Sequence, residues 1–481
     1  MEPPRVHLTT YGCQMNQLDS EVVAEILRAS GAALVLDSEA ADVLLFITCS
    51  VRAHAENRVF SNIGKLRARK QRQPGLVIGL LGCMAQEYGE DVRRRAPLVD
   101  VVCAPGRLAE LPDLIARARA GQGAVALDPA RRETSREGFA GSDAALDAAA
   151  ARRPLCGRSP GQAYVIAMRG CDNFCSYCVV PFVRGPERSR PPSAILEEVR
   201  RLVGQGARQI TLLGQAVNKY RAEEAGRTWD LADLLAKAAD VPGLRRLNFI
   251  TNHPRAMTGR LAAVFRDVPA VCPYLHMPAQ SGSDAVLARM NRGYTAAEYA
   301  DRVALVRAAR PEVAVASDFI VGFPGETEAD FEATMDLVRR VRFSGAFVFK
   351  YSPRPGTRAA ERLPDDVPDA DKRRRNNALL ALVEEITAEE NRRFIGRRVR
   401  VFVEDLAPRP GLDSRREPAG DEATAAAAGP SDPPPAVRHP QLRGRTGCNR
   451  IVVFRGPPDL VGQEADVTIT DAGPLTLFAT L

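Results

Sequence analysis

No stretch of this 481-residue sequence is apolar for long enough to span a membrane; the longest runs, residues 43–47 and 76–81, are strand-sized. The opening Met1-Glu-Pro-Pro-Arg5 lacks the basic region and following apolar run of a secretory signal, which predicts a cytoplasmic protein. In that compartment thiols stay reduced, so the ten cysteines are not a disulfide framework, and metal ligation is the better default. Paired C-x2-C knuckles, the usual mark of a structural zinc site, are absent as well. Charge is only mildly one-sided, 66 basic against 59 acidic residues, which allows a polyanionic partner without establishing one.

What is present is enough apolar residue, 45% of the chain, to build two or three cores. From residue 6 to about 118, short apolar segments at 6–11, 43–47 and 76–81 each precede a helix-like stretch, the pattern of a Rossmann-like parallel α/β domain over residues 1–120. Residues 121–160 are rich in Ala, Arg, Gly and Asp without clear periodicity and read as a linker. A second α/β alternation fills 161–393, with strands expected at 164–168, 209–213, 246–250, 274–277, 314–321 and 346–350. Six such strands predict a partial or complete (βα) barrel, whose chemistry belongs at the carboxyl ends of the strands. From 394 to 481 the alternation is that of a small all-β domain, interrupted by a Pro/Ala/Asp-rich insertion at 407–441 that is expected to be disordered.

The strongest local signal follows the first barrel strand: Cys171-Asp-Asn-Phe-Cys175-Ser-Tyr-Cys178. Three thiolates on one loop bind three irons of a [4Fe-4S] cluster and leave the fourth iron for a small molecule. A structural zinc site with Cys156 or His253 as fourth ligand is the alternative. Cys13, Cys49 and Cys83 each follow a strand of the first domain, and in a parallel sheet those strand ends share one edge. Singly, each could be a packing cysteine; their repeated placement points to a second three-cysteine centre. Cys103, Cys156, Cys272 and Cys448 match no motif.

The C-x3-C-x2-C loop resembles that of the radical S-adenosylmethionine enzymes. The whole order of parts resembles the methylthiotransferase family. That resemblance rests on Thr9-Thr-Tyr-Gly-Cys-Gln-Met-Asn-Gln-Leu-Asp-Ser-Glu21, on Arg169-Gly-Cys-Asp-Asn-Phe-Cys-Ser-Tyr-Cys-Val-Val-Pro-Phe-Val-Arg-Gly185, and on a TRAM-like Gly444-Arg-Thr-Gly-Cys-Asn-Arg-Ile-Val-Val-Phe454. Glu187-Arg-Ser-Arg-Pro191 and Leu275-His-Met-Pro-Ala-Gln-Ser-Gly-Ser283 are similar to the MiaB-type tRNA branch rather than the ribosomal-protein branch. Ile47, Ala216 and Asn252 depart from the family pattern, and none is a cluster ligand.

The resemblance implies two [4Fe-4S] clusters, one on Cys171, Cys175 and Cys178 and one on Cys13, Cys49 and Cys83. It implies two S-adenosylmethionine molecules, one cleaved to a 5'-deoxyadenosyl radical that takes hydrogen from C2 of N6-(dimethylallyl)adenosine 37, the other giving the methyl of a methylthio group. Gln215, Asn218, Asp318 and Gly322 are the implied cofactor contacts. Partners implied are a tRNA anticodon stem-loop, an electron donor such as flavodoxin or ferredoxin, and a sulfur donor, with the protein a monomer. Threonylcarbamoyladenosine in tRNA and an aspartate of a ribosomal protein are the alternative substrates; a non-catalytic zinc RNA-binding protein is the alternative of another class. Lys372-Arg-Arg-Arg375 and Arg392, Arg393, Arg397, Arg398 and Arg400 read by themselves as a solvated charged face, and their place beside the TRAM-like module makes them candidate phosphate contacts.

Overall fold

The computed structural model describes residues 2–50, 53–128, 140–152, 160–407 and 439–481, with the backbone alone at 53–55, 140 and 152. Within the first of its three parts, strands β1 (Arg5–Thr10), β2 (Ala33–Leu34), β3 (Val43–Thr48), β4 (Val77–Gly82), β5 (Val101–Cys103) and β6 (Ala124–Ala126) form one sheet in the order β2-β1-β3-β4-β5-β6. Every ladder is parallel. β3 and β4 are buried along their whole length, which is why they read as unbroken apolar runs rather than alternating ones.

The linker expected at 121–160 is in part structured. β6 extends the sheet, and a helix, Ala140–Arg152, sets Leu146, Ala149 and Ala150 into the first core. Its apolar contribution comes mostly from alanine, which leaves no periodic signal. Asp143 and Asp147 from the same helix hold Arg188 and Arg169 at 2.5 and 2.6 Å, so the helix fastens the first part to the second. Residues 129–139 and 153–159, with Cys156, lie outside the described residues, as does 408–438 of the expected insertion.

The second part carries β7 (Gln162–Ile166), the short pair β8 (Met168–Arg169) and β9 (Arg188–Ser189), β10 (Gln209–Leu213), a hairpin β11 (Arg221–Glu224) and β12 (Arg227–Asp230), β13 (Arg246–Phe249), β14 (Tyr274–His276), β15 (Ala314–Val321) and β16 (Gly345–Lys350). Two parallel sheets, β13-β10-β7 and β14-β15-β16, meet through a parallel bridge between Leu247 and Val271. This is a six-stranded partial barrel, with each expected strand within a few residues of its place. Val165, Ile210, Leu212, Leu247, Val315 and Phe319 turn outward into one core with the surrounding helices.

The third part is a closed five-stranded barrel of β17 (Arg398–Leu406), β18 (Gln441–Thr446), β19 (Ile451–Arg455), β20 (Glu464–Ala472) and β21 (Thr476–Thr480). It sits against the amino ends of the larger barrel's strands. Arg246 at the start of β13 donates to the carbonyls of Arg445 and Thr446, and Gln162 at the start of β7 donates to Glu404 at 3.2 Å. No helix among the described residues is long and apolar enough to cross a membrane.

The basic run at 372–375 is only half a solvated face: Arg373 and Arg374 are exposed, Lys372 and Arg375 buried. Lys372 is buried against Asp365 at 2.5 Å and Arg375 against Glu326 at 2.8 Å, while Arg374 pairs with Glu328 and Arg373 lies 3.7 Å from Asp369. Arg393 bonds Glu390, Arg400 bonds Asp466 and Arg398 lies 3.9 Å from the same Asp466; all three arginines are well exposed.

Candidate iron–sulfur and substrate site

Three loops at the carboxyl edge of the first sheet carry Cys13, Cys49 and Cys83. Two glycines let them converge. Gly12, at φ +121°, would place a Cβ 2.5 Å from the Cβ of Cys49. Gly82, at φ +91°, would place one 2.7 Å from the carbonyl oxygen of Thr48. Gly82→Ala is therefore expected to cost at least about 2 kcal/mol in urea unfolding and to lower iron uptake, since it strains the backbone and wedges apart two cysteine loops. A hydrogen bond from Cys49 brings the Cys13 thiol down to about 6, aided by the charge of Arg184 against the effect of burial. Burial raises Cys83, with Arg184 opposing it.

At the head of the barrel, Gly170 at φ +74° lies so close to the carbonyl of Pro186 that no side chain fits, and the Cys171 amide donates to the Gly185 carbonyl at 3.1 Å. Ser176 bonds the carbonyls of Met290 and Arg289, and Asn291 donates to the Phe174 carbonyl, so the 289–292 segment buttresses the cysteine loop. Two donors aim at its sulfurs: Asn173 Nδ2 at 3.3 Å from Cys171 Sγ, and Arg292 Nη1 at 3.1 Å from Cys175 Sγ. Burial pushes both Cys171 and Cys178 upward as free thiols.

Both triplets suit an iron–sulfur cluster by donor chemistry: three soft sulfurs apiece, with N–H donors placed to share the charge of thiolates. Among the described residues no three His, Cys, Asp or Glu side chains converge on a single ion's position. A tetrahedral zinc would need its sulfurs about 3.8 Å apart. His253, the alternative zinc ligand, instead accepts the Arg255 amide on Nδ1, and burial takes it down to about 3.

Of the implied cofactor contacts, Asn218 is held in place: its Oδ1 accepts the His253 amide and its Nδ2 donates to the His253 carbonyl, both at 2.8 Å, leaving one N–H and one lone pair. Gly322, at φ +66°, donates to Glu326 and would clash with Lys372 if it bore a Cβ, so its need for glycine is met by packing. Gln215 keeps a buried Oε1 without a partner. Asp318 lies 3.5 Å from His276 Nε2 on the inner side of β15, and its carbonyl takes the Gln280 amide.

Sequence reasoning missed the cations that bind the parts. Lys219 joins Glu187 at 2.5 Å, and Glu187 accepts the Asp172 amide at the cysteine loop. Arg190 is buried against Glu198 at 2.7 Å. The Glu187-Arg-Ser-Arg-Pro191 motif is thus a strap for the loop. Arg354, after β16, crosses to Glu56 of the first domain at 2.7 Å, with both side chains nine-tenths buried or nearly so. Nearby, the Glu87 carboxyl is buried, and burial raises it against the opposing effects of the Ser50 hydroxyl and the charge of Arg354. Arg354→Met is expected to destabilise the protein by about 3–5 kcal/mol in urea, because it strands a buried carboxylate. Glu87→Gln, which removes a charge that burial already disfavours and keeps the side chain's shape, is expected to change stability by less than about 1 kcal/mol.

With this barrel and a cysteine triplet at its head, the chain is a radical SAM protein. Residues 5–104 match the model of the uncharacterized protein family UPF0004, 165–338 that of the radical SAM superfamily, and 439–481 that of the TRAM domain. The chain belongs to the tRNA-2-methylthio-N(6)-dimethylallyladenosine synthase family. A protein of that name from Rhodopirellula baltica is 45% identical over 98% of this chain and 94% of its own length, and one from Neisseria gonorrhoeae is 41% identical over 98% of both. Among solved structures, the radical S-adenosylmethionine methyltransferase TsrM from Kitasatospora setae shares the fold over 74% of each chain, with a TM-score of 0.54 at 16% identity.

Proposed function

We propose that the protein methylthiolates C2 of N6-(dimethylallyl)adenosine 37 beside the tRNA anticodon, with [4Fe-4S] clusters on Cys171, Cys175 and Cys178 and on Cys13, Cys49 and Cys83. The observation that carries this reading is the placement of two cysteine triplets on adjoining domains, joined by ion pairs, in a chain aligned end to end with relatives of that name. Bound there, the clusters and S-adenosylmethionine supply a carbon radical able to take hydrogen from an aromatic C–H, and sulfur to replace it. The chain's own residues hold the thiolates, orient the cofactor through Gln215 and Asp318, and keep water from the reacting base. An anticodon-loop purine is single-stranded and is extruded at modest cost. A small electron donor of the flavodoxin or ferredoxin class and a separate sulfur donor complete the cycle of a cytoplasmic monomer.

The test is nucleoside mass spectrometry of tRNA from a strain lacking the gene. Loss of 2-methylthio-N6-(dimethylallyl)adenosine, with its unmethylthiolated precursor accumulating, is expected. Unchanged levels, or loss of a threonylcarbamoyladenosine derivative instead, would overturn the substrate.

A further inference from the structure

Arg184 follows the short helix Val180–Val183, six residues beyond Cys178 in the barrel, yet every side-chain partner it has here belongs to the first domain. Its Nε donates to Cys83 Sγ at 3.2 Å, and its Nη2 donates to Asn16 Oδ1 at 3.1 Å and Asp19 Oδ2 at 2.6 Å. Asn16 in turn accepts from Cys13 Sγ at 3.7 Å and is fixed by donating to the Tyr11 carbonyl at 2.8 Å. One guanidinium therefore touches one cysteine of the N-terminal triplet directly and another through a single amide.

The other end of the connection is equally short. Gly185, the next residue, accepts the Cys171 amide through its carbonyl. Val179 and Val183 pack with Cys83 in a small apolar cluster that excludes water around the guanidinium. Arg184 and Asp19 are each only 9% exposed as side chains, a burial that an arginine tolerates when it is paired with a carboxylate and hydrogen-bonded at Nε and Nη2.

We propose that Arg184 is a positioning residue that yokes the two centres. It holds the Cys83 sulfur in its ligating orientation, raises the reduction potential of the N-terminal cluster, and fixes the separation of that cluster from the barrel's cysteine loop. The inference rests on the reading of Cys13, Cys49 and Cys83 as cluster ligands. Hydrogen bonds to ligating sulfur stabilise the more negative, reduced state, and a partner one shell out commonly tunes metal affinity or activity about 10–100-fold. Lysine cannot replace this arginine, because one ammonium on a flexible stem does not serve a sulfur, an amide and a carboxylate in a fixed plane.

The test compares full-length protein with Arg184→Lys and Arg184→Met after anaerobic reconstitution. To isolate the N-terminal cluster, both variants are also placed in a background with Cys171, Cys175 and Cys178 changed to alanine. Potentiometric titration followed by electron paramagnetic resonance should show a more negative midpoint in both variants. In the otherwise unaltered protein, the yield of methylthiolated product per 5'-deoxyadenosine should fall about 10–100-fold. Arg184→Lys keeps the charge beside Asp19 and so guards against a variant that merely misfolds. An unchanged midpoint and an unchanged yield in both variants would overturn the yoke. A triple-alanine background that binds no cluster at all would remove the reading beneath it, and the proposal with it.

Discussion

Cys175→Ala is expected to abolish 5'-deoxyadenosine release and methylthiolation together, each by at least about a thousandfold, measured by chromatography of an anaerobic reaction. The reason is local. Cys175 is the sulfur that Arg292 meets at 3.1 Å, and Arg292 is itself fixed by donating to Tyr294 and to the Pro278 carbonyl at 2.9 and 3.0 Å. Removing the sulfur takes away a ligand and the acceptor of a buried cation at once. The remaining two thiols, Cys171 and Cys178, stand seven residues apart and cannot replace the lost corner. Retained 5'-deoxyadenosine release would sink the assignment of this loop.

Cys83→Ala separates what Cys175→Ala destroys together. The two triplets belong to different sheets, and the Cys83 thiol meets the barrel on the flank of Val179, Val183 and Arg184, so its loss leaves the Ser176 and Asn291 buttresses of the barrel loop in place. Cleavage of S-adenosylmethionine is expected to continue within about a few-fold, while methylthiolated product falls at least about 100-fold. Arg184 keeps Asp19 as its counter-charge in this variant, so the fold survives. Parallel loss of both activities would mean that the first domain does not form an independent centre.

The cysteines were legible because strand ends are marked by apolar runs, and a thiol after such a run has few structural excuses. Cys103 shows the limit of that rule: it closes β5 but is packed in the first core, with burial raising its thiol. The arginines were not legible. Arg184 and Cys83 are 101 residues apart and Arg292 and Cys175 are 117 apart, separations that no periodicity reports. Lys372 and Arg375 looked like one exposed basic face, yet Asp365 lies in the segment leading into the helix Asp369–Arg392, and Glu326 sits on a remote loop that only the folded barrel brings to it. Asn218 had a motif, but nothing in the motif reported that it also clips the loop after β10 to the loop after β13. The helix Ala140–Arg152 escaped because alanine buries without leaving an apolar stripe.

The small β-barrel sits at the foot of the larger one, bonded to Arg246 and Gln162 where β13 and β7 begin, whereas the cysteines stand where strands end. β15, with eight residues, measures about 26 Å between those two poles at the rise of a parallel strand. Grip and chemistry thus have separate addresses on the protein. An RNA that occupied both would have to be longer than the barrel is tall.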